Sequence, residues 1–123
     1  MRYLTARKRA EGLGSGHAGT HHHWSMTLSA AGLAFLVPAW LIIFGRALGQ
    51  DHATVLETFG RPFPAILTGL LLVIGMRHFA MGATTMIEDY TRGTTRKMAV
   101  VFVVSLAWVI GATGIFALLK IAL

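Results

Sequence analysis

Two long stretches of this chain carry neither charge nor histidine. One runs from Trp24 to Gly45 and the other from Met98 to Leu119, each of 22 residues. A helix needs about 20 apolar residues to cross roughly 30 Å of hydrocarbon, so each stretch predicts a transmembrane helix. Pro38 lies inside the first and predicts a kink that a membrane helix tolerates. A third apolar block is interrupted. Phe63–Met76 is uncharged for 14 residues, Arg77 and His78 follow, and apolar character resumes from Phe79 to Ile87. Taken as one helix, Phe63–Ile87 has 25 residues, about 38 Å, enough to span with tilt. Pro62 and Pro64 stand at its start, where a missing amide donor does little harm. The pattern predicts an all-α membrane protein with three transmembrane helices at about 24–45, 63–87 and 98–119. They follow an arm over 1–23, and the whole of 1–123 reads as one membrane-anchor domain.

Composition supports the bilayer as solvent. Hydrophobic residues make up 54% and charged residues 13%, against roughly 45–50% and about 25% in soluble domains. A small soluble globule has a large surface to cover with polar groups, so these fractions argue against a soluble enzyme and a disordered chain. There are no cysteines, which excludes disulfides, thiolate zinc sites, iron–sulfur ligation and cysteine nucleophiles within the chain.

The net charge of +6 would suit nucleic acid, but the charges stand at the ends of the apolar blocks. Membrane topology explains that placement, and no nucleic-acid partner is expected. Arg2, Arg7, Lys8 and Arg9 precede the first helix, and Arg92, Arg96 and Lys97 follow the second. Arg46, Arg61 and Lys120 fall on the other side. The excess of positive charge places the N-terminus in the cytoplasm and the C-terminus outside, in the periplasm of a bacterium. The first apolar run is too long for a signal peptide and no cleavage motif follows it, so neither a signal nor a transit peptide is expected.

An ionisable residue at bilayer depth costs on the order of 2.5–3.5 kcal/mol and marks a functional site by default. Arg77 and His78 meet that description. His78 lies ten residues before Glu88, roughly 15 Å inward along the axis. Steps of three and four along its face reach Leu71, Gly75, Gly82, Thr85 and Asp89. Glycines on either side of the histidine would give a flat macrocycle room around an axial ligand, and imidazole is a common haem ligand. The same stripe would equally let another helix pack closely, with the histidine hydrogen-bonded across the seam. Spacing alone leaves both open. In the haem reading, one histidine supplies one axial ligand, and the second would come from a partner chain. Arg77, offset about 100° around the helix, could meet a haem propionate, a neighbour's carboxylate, a backbone carbonyl or water.

The second helix ends in Ile87-Glu88-Asp89-Tyr90-Thr91-Arg92-Gly93. A quinone head group needs hydrogen-bond donors and protons; a tyrosine can donate and a carboxylate can relay. Interfacial tyrosines and solvated terminal acids have the same composition. His17 and His21–His23 could bind a metal, but they lack carboxylate or thiolate companions, and interfacial anchoring beside Trp24 explains them as well. No phosphate loop, dinucleotide fingerprint or zinc-protease motif occurs.

His78, ten intervening residues and Asp89-Tyr90 together resemble the H-x10-D-Y motif of the small membrane-anchor subunits of succinate dehydrogenase, respiratory complex II. The run Gly19-Thr20-His21-His22-His23-Trp24 with Ser29-Ala30 is also similar to that family, as are the length and the three-helix plan. The resemblance implies a haem b shared with a second cytochrome b anchor subunit, with His78 as this chain's axial ligand to the iron. It implies that Tyr90 hydrogen-bonds ubiquinone with Asp89 beside it. Flavoprotein and iron–sulfur subunits would deliver electrons from succinate, and this subunit would have no active site of its own. Many members carry an arginine where this chain has Thr27, so propionate neutralisation falls to the partner or to Arg77. Two alternatives remain: an anchor of a quinol:fumarate reductase, and a small transporter with Arg77 and His78 lining a path. The glycine-lined face also implies that the chain is unstable without a partner.

Overall fold

A computed structural model describes residues 5, 6 and 19–123. His17 and the cluster Arg2, Arg7, Lys8 and Arg9 lie outside the described residues. Between residues 19 and 123 the backbone forms four helices: α1 (Gly19–Ala47), α2 (His52–Gly60), α3 (Pro62–Tyr90) and α4 (Gly93–Ala122). Three of them, α1, α3 and α4, are long and apolar enough to cross a membrane.

Each long helix outruns the apolar stretch that predicted it. An unpaired backbone group is costly in hydrocarbon, so a helix is best continued until water can take over its ends. The start of α1 at Gly19 puts His21, His22 and His23 inside the helix, where the sequence suggested the end of an arm. Pro38 sits within α1 without ending it. Arg46 and Lys120 occupy the last turns of α1 and α4, where a cation suits the negative end of the helix dipole. Arg77 and His78 leave α3 unbroken over its 29 residues.

Between the first two predicted spans, where no helix is expected, stands the nine-residue α2. Gly49, at φ +79°, turns the chain out of α1. Thr54 then donates its hydroxyl to the Asp51 carboxylate, which holds that carboxyl below the usual aspartate range. At the far end Arg61 pairs with Glu57 at 2.6 Å. Both ends are exposed polar contacts, and α2 has no buried residue. Its apolar positions Val55, Leu56 and Phe59 do follow helical spacing, over too few residues for the pattern to register.

α3 is the central helix. It packs against both α1 and α4, which hardly meet one another. The α1–α3 seam is antiparallel, with Met26 beside Gly82 and Leu33 beside Gly75. So is the α3–α4 seam, where Leu72 packs on Gly114, Met76 on Gly111, and Gly69 on Leu118. Positions 107, 111, 114 and 118 on α4 recur at spacings of four and three, the stripe of one helix face. Only Ser29, Ala47, Leu67, Ile87 and Ala107 are buried among the described residues, while Phe35, Phe63, Trp108 and Phe116 lie outside. Such an apolar exterior suits lipid or partner helices and not water.

The glycines flanking His78 face α1. A Cβ on Gly75 would lie 3.9 Å from Leu33 Cδ2, and one on Gly82 3.6 Å from Met26 Cε. The clearance that the sequence suggested for a macrocycle is filled by a helix of the same chain. The glycine-lined face therefore packs against α1 of the same molecule.

Candidate functional site

His78 lies two residues from the midpoint of α3 and is half-buried. Its Nδ1 meets the Ser29 hydroxyl on α1 at 2.8 Å. Ser29 is one of the few buried residues, at 7% exposure. Its Oγ also lies 2.9 Å from the carbonyl oxygens of both Ser25 and Met26. A carbonyl can only accept, so the Ser29 hydroxyl is the donor in those two contacts, while toward His78 the direction depends on which ring nitrogen carries the proton. His78 Nε2 has no hydrogen-bond partner among the described residues, yet no unpartnered side-chain nitrogen or oxygen there is sealed from the surface. The second ring nitrogen is therefore both unengaged and accessible. An imidazole with one ring nitrogen hydrogen-bonded and the other open fits a haem ligand.

Two further side-chain hydrogen bonds tie α1 to α3. His22 Nε2 lies 3.3 Å from Thr85 Oγ1 toward one end, and Trp40 Nε1 donates to Thr68 Oγ1 at 3.1 Å toward the other. These pairings depend on the register between helices, which no local pattern encodes. Nothing local in the sequence ties Ser29 to His78.

Arg77 points elsewhere. It is exposed, and no hydrogen bond or ion pair holds it among the described residues. It lines a groove of about 650 Å³ with Leu72, Met76 and Thr84 of α3, Trp108 of α4 and His22 of α1. His78 does not line that groove. Thr27 is exposed and donates its hydroxyl to the His23 carbonyl.

Asp89 and Tyr90 end α3, both exposed, Tyr90 at 85%. The next residue closes the helix: the Thr91 amide and hydroxyl both donate to the Ile87 carbonyl, at 2.9 and 2.6 Å. Gly93, at φ +62°, then lets the chain reverse into α4. Because α3 is continuous, Tyr90 stands about 18 Å from His78 along the axis. Twelve residues also bring the two to different sides, about 120° apart, while Asp89 shares the His78 face. His21, His22 and His23 are consecutive on a helix and fan out by about 100° each, and no group of three potential metal ligands forms among the described residues.

Comparison with known proteins gives two matches. Residues 1–112 match the family model described as succinate dehydrogenase/fumarate reductase transmembrane subunit. The succinate dehydrogenase hydrophobic membrane anchor subunit of Paracoccus denitrificans is 49% identical over 123 residues, covering 100% of this chain and 95% of that protein. No solved structure matches.

Proposed function

The chain belongs to the family of succinate dehydrogenase/fumarate reductase transmembrane subunits, as a membrane anchor, and on that footing we propose that it ligates haem b, helps form the ubiquinone site and docks the soluble subunits. The observation that carries the reading is His78, held through Nδ1 by Ser29 and with Nε2 unengaged near the middle of α3. When bound, haem b supplies a one-electron centre within the membrane. His78 would hold the iron through one ring nitrogen, and a second cytochrome b anchor subunit would supply the other ligand, since no other histidine among the described residues lies near its level.

Tyr90 would donate its phenol hydrogen to a carbonyl oxygen of ubiquinone at the membrane edge, and Asp89 beside it would accept and release protons. The same end of the bundle presents Glu88, Arg92, Arg96 and Lys97, all exposed. This charged rim suits docking of the iron–sulfur subunit, which in turn carries the flavoprotein subunit where succinate is oxidised. Positive-inside asymmetry would place this end in the cytoplasm of a bacterium and the C-terminus of α4 in the periplasm, with the chain multi-pass in the inner membrane. The family description also names fumarate reductase; the same anchor would serve a quinol:fumarate reductase if the quinone potential drove the flow the other way.

The complex carrying this chain should show a b-type band in reduced-minus-oxidised spectra, and His78→Tyr should abolish or displace it while the subunits still co-purify. Full haem content with an unchanged spectrum in that variant would leave the chain a structural anchor without a ligand.

A further inference from the structure

His78 has two ring nitrogens, and the proton of the neutral ring sits on one of them. On the geometry of α1, we infer that Ser29 is a positioning residue for His78: its hydroxyl oxygen accepts Nδ1–H, fixes the tautomer and leaves the Nε2 lone pair as the free ligand. The inference rests on the haem-ligation reading above.

The direction of the bond follows from the number of hydrogens available. Ser29 has one, and two helix carbonyls stand 2.9 Å from its oxygen. If that hydrogen went to Nδ1 instead, the hydroxyl would abandon both carbonyls, and Nε2–H would be a donor with no acceptor among the described residues. A second pair on the same seam has the same construction with no ambiguity. Trp40 Nε1–H can only donate; it gives its hydrogen to Thr68 Oγ1 at 3.1 Å, while that hydroxyl donates to the Pro64 carbonyl at 2.7 Å. At both places a hydroxyl on one helix back-bonds its own turn and receives an aromatic N–H from the other.

A hydroxyl that is itself donating is a better acceptor, because chained hydrogen bonds polarise one another. Acceptance at Nδ1 raises the basicity of Nε2 toward a metal. Ser29 would therefore favour ferric over ferrous iron and slow the loss of haem. The backbone clamp at Ser25 and Met26 also keeps the oxygen in place before any haem arrives.

The experiment uses the assembled complex with wild-type, Ser29→Ala and Ser29→Thr anchors, and reads spectroscopy, potential and haem retention. Ser29→Ala is expected to keep the subunits together, raise the haem midpoint potential and transfer haem to apomyoglobin at least about tenfold faster. A tenfold change in the ferric/ferrous ratio corresponds to about 59 mV. Ser29→Thr, which retains the hydroxyl, should restore wild-type values. In wild-type complex carrying ¹⁵N-histidine, pulsed EPR in H₂O and D₂O should find an exchangeable proton on the distal nitrogen of the ligand from this chain. The inference is overturned if Ser29→Ala matches wild type, if Ser29→Thr is as impaired as Ser29→Ala, or if the distal nitrogen carries no proton. That last measurement decides the matter even where a variant fails to assemble. Haem that persists unaltered in His78→Tyr would instead overturn the ligation reading beneath it.

Discussion

Trp40 on α1 donates its indole hydrogen to Thr68 on α3 at 3.1 Å, and Trp40 also stacks on Phe44 with ring centres 4.7 Å apart. This contact closes one end of a seam whose centre is Ser29–His78 and whose other end is His22–Thr85. The α3–α4 seam has no such bond; there, leucine and methionine side chains rest on glycines. Both sides of α3 set leucine and methionine side chains against glycines, and the side toward α1 adds polar pairing.

The polar side can be measured at Trp40. Hydrogen bonds between membrane helices average about 0.6 kcal/mol and reach about 1.7. Thr68→Val should cost an amount in that range, and the cycle with Trp40→Phe should show positive coupling. Unfolding by steric trapping in bicelles reads both. Zero coupling would reduce the bond to a coincidence of packing.

The glycines beside His78 give a second test. A Cβ at Gly75 or Gly82 meets Leu33 or Met26 at ordinary contact distance, whereas one at Gly114 meets Leu72 at 3.0 Å. Gly75→Ala and Gly82→Ala should therefore leave haem content at the wild-type level and stabilise the helix by up to about 1 kcal/mol. Gly82→Leu should drive α1 away from α3 at a cost of about 1–3 kcal/mol. The haem-to-flavin ratio of the complex is the readout. Loss of haem in the alanine variants with the helix seam intact would restore the view that these glycines clear space for the macrocycle.

Arg77 offers a test of opposite sign to that of Ser29. A guanidinium near a propionate carboxylate favours reduced iron, since it offsets negative charge close to the metal. Arg77→Leu should then lower the haem midpoint potential by the equivalent of about 1 kcal/mol, the scale of a screened charge several ångströms away. It should also ease insertion of α3, because arginine at bilayer depth costs about 2.5–3.5 kcal/mol. Potentiometric titration of the complex separates the outcomes: an unchanged potential removes Arg77 from the cofactor's surroundings.

How far residues could be read without coordinates depended on the range of the physics involved. Spans were legible because hydrocarbon thickness imposes a length on every crossing, and the α3 span was legible despite Arg77 because apolar character resumes at Phe79. The His78–Asp89 relation was legible because both sit on one helix with a fixed period. Ser29 as the partner of His78 was not, since 49 positions separate them and only the register of α1 against α3 joins them. Gly75 and Gly82 were visible as a small-residue face, but sequence could not say whether a cofactor or a helix filled it. The first turns of α1 were hidden because His21–His23 are polar, and helices outlast their apolar cores at the membrane edge.

Tyr90 tests the other half of the proposed function. Its ring is 85% exposed at the end of α3 and makes no hydrogen bond within the described residues, so its phenol is available to a molecule from outside. Tyr90→Phe removes one donor and little else, because the ring supports no packing that the fold depends on. A hydrogen bond contributing about 1.4 kcal/mol in the transition state corresponds to about tenfold in rate. Quinone reduction by the complex should fall by about that factor, while succinate oxidation with an artificial acceptor that draws electrons from the soluble subunits stays at the wild-type rate. Asp89→Asn should slow the same step with a stronger dependence on pH, since an amide cannot relay protons. Equal loss in both assays would point to damaged docking at this charged rim, and no loss in either would move the quinone elsewhere on the bundle.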